Sequence, residues 1–476
     1  MSKRIQMLIA MLLALVLVLM SLTACGQAPR EEEDGGDKTN ETPVENENES
    51  KQETEEQQEE NVVEEPSYDF GGRKIRWAAW WDLGPVEGAS ETADKQLERI
   101  AELEEKYNFK LEFLNLPYNE LLEQFAASTL AGDPIAEFIQ LENYYFLSHV
   151  ISGMVLPVSD LNIFDFNEDK WDKRIIRDTT WNGKVYGLAT GKKAPENALI
   201  WWNKTMFERN GLPNLYELQR NKEWTWDKML EIAVKATVDL DGDGTVDQWG
   251  LAGASPELAL IYSNNGQTVR AEDGKLRFAL MEPNALEALQ FYQDLIHTHK
   301  VFAVPPANSS WDWAIQQFIS GKVAMNIEGA WVCGMLDDGM ADEYGVVAFP
   351  IGPKGTDYVA AIGTENYTIM PSTVKKPEEA AIFYDAYTGP FEGEDPDAWK
   401  EGYEINLRDA ESLETLEMMI ENQASVAVLH RSVPEVANLL GGTFYQITTG
   451  AKTAKAAVEE IAQQAQTLLD DFLTQK

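Results

Sequence analysis

The chain has 476 residues and carries 80 acidic against 39 Lys and Arg side chains, a formal net charge of −41. That length allows two or more buried cores. The acidity, with no basic stripe to set against it, argues against nucleic acid or an anionic membrane surface as partner, because phosphate contacts need clustered Lys and Arg.

Lys3 and Arg4 precede an apolar run from Ile5 to Met20, and "SLTAC" follows, ending at Cys25. The run is shorter than the ~20 apolar residues that usually cross a bilayer, and small residues close it, so residues 1–24 read as a signal peptide. "LTAC", Leu22 to Cys25, resembles the bacterial lipobox. The resemblance implies a mature chain that begins at Cys25 and is held at the outer face of the cell membrane by more than one acyl chain, which makes an anchor stable. Residues 25–67 change character: from Glu31 to Pro66, 16 acids stand against Lys38 and Lys51, leaving 14 net negative charges. So polar a stretch cannot offset its chain entropy by burial and reads as a disordered acidic tether. With Cys25 lipidated, Cys333 has no partner, and the exported fold must rely on its core rather than on disulfides.

The folded part opens with "KIRWAAWWDLG", a buried strand from Ile75 to Trp81. Ala93, Leu97, Ile100, Leu103 and Tyr107 then recur at steps of three and four, an amphipathic helix. "KLEFLNL" is a strand, "YNELLEQFAASTLAGD" a helix and "EFIQLE" a strand again. This alternation predicts an α/β fold with a mainly parallel sheet, whose ligand lies beyond the carboxyl ends of the strands. Trp80, Trp81 and Asp82 after the first strand, and Glu142, Asn143 and Tyr144 after the third, are therefore the residues to watch. One of Trp80 and Trp81 should be packing, since strand neighbours point to opposite faces. A second series follows: strands "VYGLAT" and "ALIWW", a helix closed by Gly211, a helix capped by Thr225, and a long helix with Pro283 near its start. "WAIQQFISGKVAMNIEGAWV" reads helix, stop at Gly321, strand and turn, and the last seventy residues read as almost wholly helical. His297 and His299, two apart on a helix, point in different directions and make no metal pair.

"DLDGDGTVDQWG", Asp239 to Gly250, matches part of a calcium loop. Asp239, Asp241 and Asp243 take positions one, three and five, Gly244 the turn, Thr245 the carbonyl position and Asp247 position nine, but Gly250 stands where a bidentate Glu belongs. The alternative is a polar turn that uses Asp and Gly for positive φ.

Three segments in order then carry a resemblance to the extracellular solute-binding proteins of ABC transporters, of the maltose- and oligosaccharide-binding type. They are "WWNKTMFERNGLPNLYELQRNKEWTWDKMLEIA", "FISGKVAMNIEGAW" and "TGAKTAKAAVEEIAQQAQ". The resemblance runs through nearly all of residues 70 to 475. It implies two α/β lobes, residues 68–190 with 362–400 and residues 191–361 with 401–476, joined by hinge crossovers and closing on a solute in the cleft. The crossovers are expected between Tyr186 and Ala198, near Tyr358 to Thr364 and around 395–405. By position, Trp331 matches a sugar-stacking tryptophan and Asp82 a ligand-binding acid, with Glu142, Tyr144, Glu365 and Asn366 as further candidates beside Trp81. Related loops in the family hold one structural calcium through position ten, here Gln248. The implied partners are an oligosaccharide or other sugar and the permease subunits of an ABC importer.

The chemistry of such a site is consistent with the composition. Fourteen tryptophans are many, and a sugar presents an apolar face for an aromatic ring and a rim of hydroxyls for acids and amides. Two other classes stay open at this point. A glycosidase needs two carboxylates ~5 to 9 Å apart, which 80 acids cannot fail to supply, although no nucleophile or metal-hydrolase motif is present. A lipoprotein that only docks another protein would leave its cleft without aromatic lining.

Overall fold

Two sheets carry the architecture, and each is built by the helix–strand alternation of its own stretch of chain. In the computed structural model residues 68–195, 198–362, 365–391, 393, 395, 397–425 and 428–474 are described. Cys25, the signal segment and the acidic tether lie outside them. Among the described residues no helix is long and apolar enough to cross a membrane.

The strands of the two sheets are β1 (Arg73–Ala79), β2 (Phe109–Asn115), β3 (Phe138–Glu142), β4 (Gly187–Leu188), β5 (Leu199–Asn203), β6 (Trp249–Gly253), β7 (Val323–Glu328), β8 (Tyr344–Ala348) and β9 (Asn366–Ile369). The first sheet has the order β2-β1-β3-β9-β4 and the second β8-β5-β7-β6. β1 runs parallel to β2 and β3. The expectation of a mainly parallel sheet holds for that part and fails beyond it: β9 is antiparallel to β3 and β4, and β5 is antiparallel to β7 and β8. The reason is topological. β5 and β9 each enter from the other sheet, so each starts at the rim where its neighbours end. Leu199 accordingly pairs with Glu328, and Asn366 with Glu142.

The chain passes from the first sheet to the second between Leu188 and Leu199 and returns between Ala348 and Asn366. It is back against the second sheet by Asn406, whose carbonyl accepts from Tyr344 Oη at 2.5 Å. On the way, Ala360–Ile362 pairs in parallel with Gln423–Ser425. The result is a two-lobed α/β fold.

Local chemistry sets the element ends. Ser90 Oγ caps helix Glu91–Tyr107 by accepting from the Ala93 amide at 3.0 Å, and Asn108 closes it in the left-handed region. Thr225 caps helix Trp226–Ala236, and Pro283 opens helix Pro283–His297. Trp77, Phe138 and Tyr384 pack within 5.7 Å of one another in the first lobe. Trp201, Trp224 and Trp226 are fully buried in the second. Several of the fourteen tryptophans are thus core, and the exposed ones stand out. Cys333 is a buried free thiol, and His297 Nε2 lies 3.1 Å from the Ile447 carbonyl oxygen.

Candidate functional site

The rim of the first sheet collects side chains from four adjacent strands. Trp80 and Trp81 lie just past the last residue of β1, so strand alternation does not separate them. Both are half-buried, edge to face at 4.5 Å and 88°. Trp80 is the one packed against the core, and it also meets the Tyr118 ring at 5.3 Å. Asp82 is exposed and accepts from Asn115 Nδ2 at 2.6 Å. Tyr118 opens the helix that follows β2, and its hydroxyl donates to the carboxylate of Glu142 at the end of β3. Tyr144 donates to the same carboxylate oxygen. The Tyr118 hydroxyl lies 2.8 Å from that of Tyr144 and 3.0 Å from that of Tyr145. Burial first, and then the bonds to Glu142, push the Tyr118 and Tyr144 phenols upward, so both remain donors at physiological pH. Asn366 faces Glu142 across the β3–β9 pair and therefore projects from the same side, with its side-chain oxygen buried and without a hydrogen-bond partner among the described residues.

Glu365, one residue earlier, has a different fate. It is buried and forms an ion pair with Arg174 at 3.3 Å, and Arg174 also holds Asp172 at 2.7 Å. Burial raises its carboxyl and Arg174 opposes that rise. Its backbone oxygen accepts from Asn143 at 2.8 Å. Glu365 thus braces the second crossover against the first lobe, while Asn366 occupies the rim.

The rim of the second sheet is built around "EGAW". β7 ends at Glu328, Gly329 turns the chain, and a short 3-10 turn, Ala330–Val332, presents Trp331 with 41% of its surface exposed. Two bonds fix this turn: the Ala330 amide donates to Pro195 O at 2.8 Å, and Trp201 Nε1 donates to Gly329 O at 3.0 Å. Glu328 is only 6% exposed, and among the described residues no cation pairs with it. Burial pushes its carboxyl up to about 7 against the opposing bond from the Gly329 amide. Two positions earlier on β7, hence on the same face, Asn326 is fully buried with neither amide atom bonded among the described residues. Trp331 also meets a second exposed indole, Trp311, at 5.9 Å and 35°.

Each lobe therefore offers aromatic rings and carboxyl groups at the end of its sheet where crossover strands begin. The sequence profile of the bacterial extracellular solute-binding proteins matches residues 88–392. The chain belongs to this family. Solved structures share the fold at low identity. An ABC substrate-binding protein, Lmo0181 of Listeria monocytogenes in complex with cycloalternan, is similar at 17% identity and a TM-score of 0.56, over 85% of this chain and 100% of that one. UspC of M. tuberculosis is similar at 18% identity and a TM-score of 0.62, over 83% and 100%. The maltose/maltodextrin-binding domain MalE of Bdellovibrio bacteriovorus, bound to maltotriose, is similar at 18% identity and a TM-score of 0.54, over 84% and 100%. An extracellular solute-binding protein works outside the cytoplasm, and the family implies permease subunits of an ABC transporter as partners.

In this solute-binding protein the Asp-rich loop is a self-bonded turn. Asp239 accepts from the Gly242 and Gly244 amides at 2.7 and 2.8 Å, Asp241 from Asp243 at 3.1 Å, Asp243 from Thr245 at 2.7 Å, and Asp247 from Leu240 at 2.8 Å. The Gly244 bond leads the causes that hold the Asp239 carboxyl below its usual value. Asp239, Asp241 and Asp247 converge, each with one oxygen within 4.8 Å of the others, a donor set that suits a hard cation. Asp243 is not part of that trio. The assignment of Gln248 is corrected. It is buried, its Nε2 donates to Ala236 O at 2.7 Å and its Oε1 accepts from Arg209 at 3.1 Å. The antiparallel bridge Val238↔Gln248 closes the base of the loop and turns this side chain inward.

Tyr118, Tyr145, Trp311 and Glu328 were absent from the residues singled out in the sequence. Glu328 had a usable signal, an acid at the end of the apolar strand "VAMNIE" just before the motif. Tyr118 and Tyr145 sit at helix starts and Trp311 in a loop, where no periodicity marks a face.

Proposed function

We propose that this protein is a lipid-anchored extracellular receptor, held through Cys25, that captures an oligosaccharide between its lobes and delivers it to an ABC importer. The observation that carries this reading is the half-exposed Trp331 indole on its pinned turn, three residues after the buried carboxyl of Glu328. An apolar ring face next to hydrogen-bonding carboxyls suits a sugar. The sugars bound by the Listeria and Bdellovibrio proteins support the same class. Aromatic lining on both rims favours a solute receptor over a lipoprotein that only docks another protein.

The test is a titration of tryptophan fluorescence with candidate oligosaccharides while product formation is followed. A saturable shift without products is expected, and it should vanish in Trp331→Ala. Turnover would assign the site to an enzyme instead, and a full-sized shift in the mutant would remove Trp331 from it.

For the Asp-rich loop we propose one structural calcium held by Asp239, Asp241 and Asp247, bracing the turn between helix Trp226–Ala236 and β6. Removing it with EDTA should lower the melting temperature, and added calcium should restore it. Asp241→Asn should lose most of that response. A melting temperature indifferent to EDTA would leave the loop as a polar turn.

A further inference from the structure

Arg174 is a buried cation whose direction is fixed by a fork: Nε donates to Asp172 Oδ1 at 3.2 Å and Nη2 to Asp172 Oδ2 at 2.7 Å. Asp172 is held in turn, because Oδ1 also accepts from the Arg174 and Ile175 amides, at 3.0 and 3.4 Å, as the cap of helix Lys173–Asp178. Nη1 is left to reach Glu365 Oε1, 191 residues along the chain, at 3.3 Å.

These three groups do not balance in charge. One guanidinium faces two buried carboxylates, an excess of one negative charge that burial makes costly. Lys193 supplies the missing positive charge from the connection between Leu188 and Leu199, where the chain changes sheets. Burial raises the Glu365 carboxyl above its usual value; the charge of Arg174 and then that of Lys193 oppose the rise, and Asp172 adds to it. Lys193 is exposed, so water screens its share. Two charges of each sign thus tie helix Lys173–Asp178 to both crossovers.

The first-lobe rim hangs on this cluster. The Glu365 carbonyl accepts from the Asn143 amide at 2.8 Å, and Asn143 is the buried residue between Glu142 and Tyr144. Asn366 follows Glu365 and faces Glu142 across β3 and β9. On the other side of the fork, the Asp172 amide donates to Ala189 O at 2.9 Å, just past the end of β4. The Glu142 acceptor, the Tyr144 ring and the Asn366 amide are therefore placed from one residue, Glu365, whose own place is set by charge.

We propose that Arg174 is the positioning residue of the first-lobe rim and that Lys193, from the chain between the lobes, completes its charge balance at Glu365, so that solute affinity depends on charges the solute does not touch. This rests on the reading of the protein as a sugar receptor.

The protein and its Arg174→Met, Lys193→Met, Glu365→Gln and Lys193→Met/Glu365→Gln variants are titrated with maltotriose, cellotriose and mannotriose at pH 6 and pH 8, with tryptophan fluorescence as the readout. Each affinity is taken relative to wild type at the same pH, which removes what Glu328 contributes to both. Arg174→Met should bind the trisaccharide that wild type binds about tenfold more weakly. Without Lys193 the Glu365 carboxyl takes its proton at higher pH, so Lys193→Met should lose about threefold at pH 6 and less at pH 8. Glu365→Gln has no such proton to take: its loss should be the same at both pH values, and adding Lys193→Met to it should cost nothing further. An equal loss at both pH values in Lys193→Met, or a double variant weaker than Glu365→Gln, assigns Lys193 to the solute itself and overturns the charge balance. Unchanged affinity in Arg174→Met overturns the positioning role; if that variant does not fold, the Lys193 and Glu365 variants decide the matter by themselves. No binding of any of these sugars by wild type overturns the sugar reading and the positioning role together, whereas the other failures leave that reading standing.

Discussion

Glu328 is the side chain whose chemistry reaches furthest beyond its neighbours. Folded, it keeps its proton up to about 7, whereas a free carboxyl loses it at 4.5. In that window the folded state binds more protons than the unfolded chain, so stability falls as pH rises through it. At about 1.4 kcal/mol per pH unit the loss is on the order of 3 kcal/mol at most. Glu328→Gln should flatten that dependence and raise stability at pH 8 relative to wild type while leaving pH 5 nearly unchanged. Urea unfolding at the two pH values checks this, and parallel curves for the two proteins would refute it. The exposure of Trp331 at a strand end was legible in the sequence because it sits in a motif with fixed spacing. Trp311 was not, because two residues from different strand ends meet only in three dimensions. Gln248 shows the opposite failure: the loop pattern counts positions, while the bridge at Val238 decides which way the side chain faces.

The "EGAW" turn shows how backbone bonds behind a side chain fix where it stands. Its position depends on the Trp201 donor to Gly329 and on the Pro195 acceptor for Ala330. Trp201→Phe keeps most of the ring but leaves a buried carbonyl unsatisfied, which costs about 1 to 3 kcal/mol. The expected result is a lower urea midpoint together with weaker solute binding. Binding unchanged despite the lower midpoint would show that the turn holds itself. β6 is constrained just as tightly at its end: Gly253 has φ +143, and a Cβ there would lie 2.4 Å from the Ile327 carbonyl oxygen. Strand and helix identities were largely legible from periodicity and caps, as with Ser90, Thr225 and Pro283. The direction of β5 and β9 was not, because local pattern does not record which sheet a strand enters from.

For the molecule as a whole, two lobes sharing one continuous chain make solute binding and stability one measurement. A solute at ~100 times its dissociation constant adds about 2.7 kcal/mol to unfolding, which a thermal-shift screen of a sugar library detects. The lobe plan was readable from the order of three weak motifs, since each alone is common but their sequence is not.

The bond between Ala330 and Pro195 also bears on where the chain changes lobes. Upstream in the same crossover, the Asp172 amide bonds Ala189 O at 2.9 Å, Trp171 bridges Thr190, and the Gly191 amide bonds Lys170 O at 3.0 Å. Gly191 is thus tied to the first lobe, and Pro195, four residues on, to the second. Lys192, Lys193 and Ala194 lie between these two anchors, a stretch three residues long and joined through Pro195 to the turn that carries Trp331.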